Sequence, residues 1–121
     1  MMACILTVDD SLSIRKMLSL TLGSAGFDVV QAVDGFDALE VADQHNFDVA
    51  VVDVNMPRMD GYELVQKLRQ DERFRFKPIL ILTTESSKES KMKGREAGAT
   101  GWIVKPFDPQ VLLATIDKIL S

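Results

Sequence analysis

The stretch Asp48-Val49-Ala50-Val51-Val52-Asp53 limits the fold of this chain more than any other. Four consecutive small or β-branched apolar residues, with no polar alternation, read as a strand buried on both faces. Strands of that kind belong to parallel sheets covered by helices on either side. Asp53 follows at once, where such a strand emerges at its carboxyl end. In open α/β sheets that edge is where ligands bind. Asp53 is therefore either helix-capping punctuation or a functional group, and the rest of the chain decides which.

The pattern recurs along the sequence. Ala3-Cys4-Ile5-Leu6-Thr7-Val8 is a second apolar run and ends in Asp9 and Asp10. Phe27 to Val33 contains Asp28 and Gln31 and reads as a less buried strand near a sheet edge. Pro78 to Thr83 is a buried fourth strand, and Gly101 to Val104 a short fifth, followed by Lys105-Pro106-Phe107. Helical spacing fills the intervals. Ile14, Met17, Leu18, Thr21, Leu22 and Ala25 mark the first helix, with Gly23 and Gly26 as stop signals. Gly35 to Gln44 carries Ala38, Leu39 and Ala42 on an inner face. Asp60 with Glu63 caps a third helix that continues through Leu64, Val65 and Leu68. Ser86 with Glu89 is a further capping box, and Asp108-Pro109 opens a last helix faced by Leu112, Thr115, Ile116 and Ile119. Five strand–helix repeats predict an α/β fold with a parallel sheet covered on both faces.

Composition narrows the class. At 121 residues the chain reads as one domain, 1–121, with no output domain attached. A net charge of −4 argues against non-specific binding to nucleic acid or to anionic membranes. No apolar stretch approaches the ~20 residues that span a bilayer. The single cysteine, Cys4, forbids an internal disulfide and reads as a buried, inert thiol. Arg73-Phe74-Arg75-Phe76-Lys77 interleaves basic and aromatic residues as some single-strand nucleic-acid contacts do, but five residues before a strand in an acidic protein read as a packed loop. His45, with no clustered Cys or His, reads as a surface residue.

The chemistry lies at the strand ends. Asp9 and Asp10 follow the first strand, Asp53 the third, Thr83 the fourth and Lys105 the fifth. In a parallel sheet all five project from one edge. Three carboxylates gathered there repel one another unless a cation joins them. A hard divalent ion answers this, and Mg²⁺ suits a site with few carboxylates and several retained waters. One lysine and one hydroxyl beside such a site can hold the oxygens of a transferred phosphoryl group.

The segments T-V-D-D, V-V-D-V-N-M-P-R-M-D-G, L-T-T-E and K-P-F resemble the receiver domain of two-component response regulators across essentially the whole chain. The nearest kind is the stand-alone, CheY-like chemotaxis type. The resemblance implies a flavodoxin-like (βα)5 fold, doubly wound, with strand order 2-1-3-4-5. It also implies that Asp53 accepts a phosphoryl group from a histidine kinase in a Mg²⁺-dependent reaction. Asp10 and Asp53 would ligate the ion directly, Asp9 through water and Asn55 through its backbone carbonyl. Lys105 would pair with Asp53 and then with the phosphoryl group; Thr83 would hydrogen-bond that group, assisted by the Thr84 N–H. The Lys105-Pro106 bond is expected to be cis. Thr83 and Trp102, the latter where the family more often has Tyr or Phe, would form the switch. Asn55 and Glu85 would flank the hydrolytic water and modulate dephosphorylation.

Further expectations follow from the resemblance. Helix four, strand five and helix five would form the output surface, offered to a partner such as a flagellar motor switch protein. The protein would be a cytoplasmic monomer, or a dimer through that surface. The alternative role is a phosphorelay intermediate that passes the group to a histidine phosphotransfer protein. An enzyme on a similar fold fits less well. Asp9-Asp10-Ser11-Leu12-Ser13 replaces the Gly-rich turn that a dinucleotide needs. Asn55 stands where an aspartyl-phosphate phosphatase would carry a second acid. The expected catalysis is limited to the protein's own phosphorylation and dephosphorylation.

Overall fold

Backbone pairing gathers the five apolar runs into one sheet. The computed structural model describes residues 3–121. Strands β1 (Cys4–Val8), β2 (Asp28–Ala32), β3 (Val49–Asp53), β4 (Ile79–Thr83) and β5 (Gly101–Val104) are all parallel, in the order β2-β1-β3-β4-β5. Helices α1 (Leu12–Ser24), α2 (Gly35–Gln44), α3 (Gly61–Gln70), α4 (Lys88–Ala97) and α5 (Pro109–Leu120) alternate with them. This is the flavodoxin-like order that the resemblance implies.

Both central strands, β3 and β4, are buried at every residue, whereas Asp28 and Gln31 are exposed on the edge strand β2. Side chains alternate across a strand, so each run feeds two cores. Ile5, Val49, Val51, Leu80 and Leu82 pack with Leu18 and Leu22 of α1 and with Leu112 and Ile116 of α5. On the opposite face, Leu6, Val8, Ala50, Val52, Ile79 and Ile81 meet Ala38, Ala42, Leu64, Val65, Leu68 and Ala97 from α2, α3 and α4. Neighbouring strand order reverses between β1 and β3. That switch point places the residues after β1 beside the end of β3, at the carboxyl edge where α/β sheets hold ligands.

Three local readings change. Along α1 the packed stripe is Ile14, Leu18 and Leu22, spaced four apart, while Met17 is 48% exposed and Ala25 is exposed too. Met17 lies about 100° around the helix from Leu18 and turns to solvent. The helix also runs through Gly23 and turns out only after Ser24. At α4 the cap is Ser87, not Ser86: its Oγ accepts the Ser90 N–H at 3.1 Å. Cys4 is half-buried rather than fully buried, and burial together with Asp48 and Asp28 pushes its thiol pKa up, away from reactivity.

The basic-aromatic run is a packed loop. Phe74 is buried and stacks on Phe47 with ring centroids 5.0 Å apart, while Phe76 points to solvent. Arg69 ties this loop to α4. Its guanidinium donates to the carbonyl oxygens of Phe74 (2.8 Å), Arg75 (3.0 Å) and Lys77 (2.6 Å), and its Nε to that of Gly98 (2.9 Å). Gly98 ends α4 in the left-handed region at φ 108°, a conformation that glycine adopts without steric cost. Elsewhere α4 is held by little: of its residues only Gly94 and Ala97 are buried, and Met92 is 56% exposed.

Gly61 fixes the site most directly. Its N–H donates to the Val54 carbonyl at 2.9 Å, folding the loop after β3 back onto the strand end. A Cβ at Gly61 would collide with the carbonyl oxygen of Asp53. Gly61→Ala is expected to destabilise the protein by about 1–3 kcal/mol, the range for overpacking a close contact, read as a lowered urea midpoint with an unchanged m-value.

Candidate functional site

Residues from three strand ends meet at the carboxyl edge of the sheet. Asp9, directly after β1, is fully buried, and Asp53, the last residue of β3, is 3% exposed. Asp10 is exposed at the rim. One carboxylate oxygen from each of the three lies within 4.8 Å of the others. Lys105 arrives from β5 because its N–H donates to the Thr83 carbonyl at 2.7 Å, extending the β4–β5 pairing by one residue. Its Nζ stands 2.7 Å from Asp53 Oδ1 and 3.1 Å from Asp9 Oδ2. The Lys105-Pro106 bond is cis, as expected.

The acids are held by backbone as well as by charge. Asp9 Oδ1 accepts the Ser11 N–H at 2.9 Å, and Ser11 in turn caps α1 by accepting the Ile14 N–H. Arg15 reaches back to donate to the Asp9 carbonyl at 2.8 Å. Asp9 Oδ2 is buried and takes part in no hydrogen bond, so its negative charge faces only Lys105 and the other acids. An orphaned carboxylate oxygen amid three converging acids, all hard oxygen donors, fits a divalent cation such as Mg²⁺.

The titration behaviour has a physical cause. Burial pushes the Asp53 pKa up, the Lys105 hydrogen bond opposes this, Asp9 raises it again, and the net direction is upward. Burial alone would lower the pKa of Lys105, but its hydrogen bond to Asp53 and its ion pair with Asp9 outweigh that, and the ammonium is held charged. One lysine thus lies within ion-pair distance of two carboxylates, and the Asp53 pKa stays raised beside it.

Thr83, at the end of β4, is buried, and its Oγ accepts the Glu85 N–H at 3.0 Å. Thr84 and Asn55 are exposed beside it. A cavity of about 230 Å³ opens here, lined by Asn55, Asp60, Thr83, Glu85, Ser90 and Lys93. Trp102 on β5 is half-buried, with the Lys91 ammonium 4.9 Å above its ring. Between Trp102 and Thr83 lies a second cavity, walled by Tyr62, Ile81 and Gly94, with room for about one water molecule at most. The sequence-derived set therefore falls into two groups: Asp9, Asp10, Asp53 and Lys105 at the cluster, and Asn55, Thr83, Thr84, Glu85 and Trp102 towards the β4–α4 side.

Some contributors were not legible in advance. Arg58 adopts φ 69°, donates to Asp34 at 2.8 Å and stacks 5.0 Å over Phe36, pinning the loop after β3 to the cap of α2. Tyr62 lines both cavities and donates to the Ser90 carbonyl at 3.4 Å. No spacing rule points to either residue, since both act across elements distant in sequence.

A doubly wound parallel sheet carrying an acid cluster, a lysine and a hydroxyl at its carboxyl edge is the arrangement that the receiver-domain resemblance implies. The chain belongs to the response regulator receiver domain family, whose model matches residues 5–117. Among relatives, chemotaxis protein CheY1 of Helicobacter pylori is 41% identical over 119 residues, covering 97% of this chain and 96% of that protein. Chemotaxis protein CheY of Pseudomonas aeruginosa is 40% identical over 118 residues, covering 97% and 95%. The solved structure of chemotaxis protein CheY4 of Vibrio cholerae superposes with a TM-score of 0.95 at 52% identity, covering 98% of each chain. Receiver domains take phosphate from histidine kinases, bind Mg²⁺ at an acidic cluster and act as switches rather than as enzymes with a separate substrate. Among the described residues no helix is long and apolar enough to cross a membrane.

The raised Asp53 pKa gives stability a sign. In the folded state Asp53 holds its proton to higher pH than in the unfolded chain, so this contribution is complete below the unfolded value and is lost as pH rises through the folded one. In metal-free buffer, Asp53→Asn is expected to flatten the decline in stability as pH rises through the carboxylate range, measured by urea unfolding at several pH values. An identical slope in parent and variant would place the decline elsewhere.

Proposed function

We propose that this chain is a chemotaxis-type switch whose on-state is an acyl phosphate on Asp53. The carrying observation is the Lys105 ammonium shared between Asp53 (2.7 Å) and Asp9 (3.1 Å), with Thr83 at the adjoining strand end. A carboxylate oxygen of Asp53 attacks the phosphorus of a phosphohistidine; the new O–P bond forms as the P–N bond breaks, and the imidazole leaves. Lys105 follows the transferred charge from carboxylate to phosphoryl oxygen. The Thr83 hydroxyl and the Thr84 N–H donate to the remaining oxygens. Asp10, Asp53 and the Asn55 carbonyl, with Asp9 through water, would hold Mg²⁺. That ion, when bound, offsets the charge that develops on the phosphoryl oxygens. Asn55 and Glu85 flank the approach of the hydrolytic water and shorten the life of the on-state.

The readout runs through α4 and β5. The cavity beside Thr83 admits about one water and is far smaller than an indole. Trp102 therefore enters it only if α4 moves, and the few buried residues of α4 leave it free to do so. The output face is then α4, β5 and α5, and the names of the relatives support a chemotaxis partner such as a flagellar motor switch protein. A cytoplasmic setting follows from a histidine kinase as donor.

Trp102 is the only tryptophan and reports the switch. Titrating beryllofluoride, a phosphoryl mimic, is expected to change Trp102 emission only with Mg²⁺ present, and Asp53→Ala is expected to abolish the response. Amide exchange across residues 86–105 should change in the same titration. A parent protein silent in both measurements would overturn the phosphoacceptor reading.

A further inference from the structure

The first turn of α4 carries a hydrogen-bonded chain aimed at the phosphorylation site. Ser87 Oγ donates to Ser90 Oγ at 2.9 Å, and Ser90 Oγ donates to Glu85 Oε2 at 2.5 Å. Ser87 is itself fixed as the helix cap by the Ser90 N–H, and the Ser90 carbonyl accepts from Tyr62 of α3. Glu85 is tied at its other end as well, through its N–H to Thr83 Oγ. Ser90, Glu85, Thr83 and Asn55 line one cavity of about 230 Å³.

From this arrangement we infer that Ser90 is a positioning residue for hydrolysis of the acyl phosphate on Asp53. The inference rests on the reading of Glu85 given above. Glu85 is exposed, and among the described residues no ion pair engages it, although Lys93 lines the same cavity. An exposed glutamate without a tether samples many rotamers and loses that freedom on binding a water. The Ser90 hydroxyl removes this disorder beforehand by occupying Oε2, which leaves Oε1 as the acceptor for a water proton. A hydroxyl that is itself donated to polarises and donates more strongly, so Ser87 reinforces the tether. The carboxylate also sits beside the amino end of α4, where the helix dipole favours negative charge.

Because two of the three links are residues of the α4 start, the tether also joins the lifetime of the signal to the position of that helix.

The test uses the full chain, phosphorylated on Asp53 with a small acyl phosphate, and follows loss of the phosphoryl group once the donor is removed. Glu85→Ala is expected to slow the loss. Ser90→Ala should slow it by roughly three- to tenfold, the scale of one hydrogen bond to a charged group. In the Glu85→Ala background, Ser90→Ala should add nothing, and Ser90→Thr should restore the parent rate. The affinity for beryllofluoride with Mg²⁺ should stay unchanged in Ser90→Ala, because a general disturbance of α4 would alter it. An unchanged lifetime in Ser90→Ala beside a slowed Glu85→Ala overturns the tether and leaves the role of Glu85 standing. An unchanged lifetime in Glu85→Ala overturns both. Additive effects, or failure of Ser90→Thr to restore the rate, overturn the tether as well.

Discussion

Three carboxylates and one ammonium share a space a few ångströms across, and the surrounding structure is arranged to tolerate that concentration of charge. Two of the acids, Asp9 and Asp53, are almost wholly removed from water. Each would be costly to ionise alone in such surroundings. Lys105 lies within ion-pair distance of both, yet the Asp53 pKa stays raised, so the lysine only partly offsets burial and repulsion. The imbalance favours capture of positive charge. It equally suits the proposed phosphoryl transfer, which would move negative charge off Asp53 and outward.

Rigid elements hold this imbalance in place. The cluster sits at the reversal of strand order between β1 and β3, and β3 is buried at every residue. The Gly61 N–H closes the following loop onto Val54, and Arg58 binds the same loop to the start of α2. On the other side of the sheet the design changes. Thr83 and Lys105 come from well-paired strand ends, but the helix next to them buries only two small residues. The acids therefore sit on a stiff wall, and a loosely packed one adjoins it.

The stiff wall was the more legible part in the sequence. Uninterrupted apolar runs announce parallel strands, and residues that directly follow a run must emerge at the same edge. That local logic was enough to group Asp9, Asp10, Asp53, Thr83 and Lys105. Contacts that depend on how distant elements approach left no such trace. Ser86 and Ser87 are adjacent serines, and only the path of the chain into α4 selects Ser87 as the cap. Met17 satisfies helical spacing, yet the sheet beneath α1 is covered by Ile14, Leu18 and Leu22. No capping or spacing rule singles out Ser90, because its partner Glu85 precedes the helix and belongs to another turn of chain.

Arg69 gives the loosely held helix a fulcrum. Its guanidinium grips the Phe74 and Lys77 carbonyl oxygens within the α3–β4 connection and the carbonyl of Gly98, the cap that ends α4, at the edge of the sheet opposite the acids. The first turn of α4, with Ser87, Ser90 and Lys91, lies farthest from Gly98 and closest to Thr83 and Trp102. If α4 moves as proposed, the hold of Arg69 at Gly98 favours a tilt that displaces the first turn, beside Thr83 and Trp102, more than the carboxyl end.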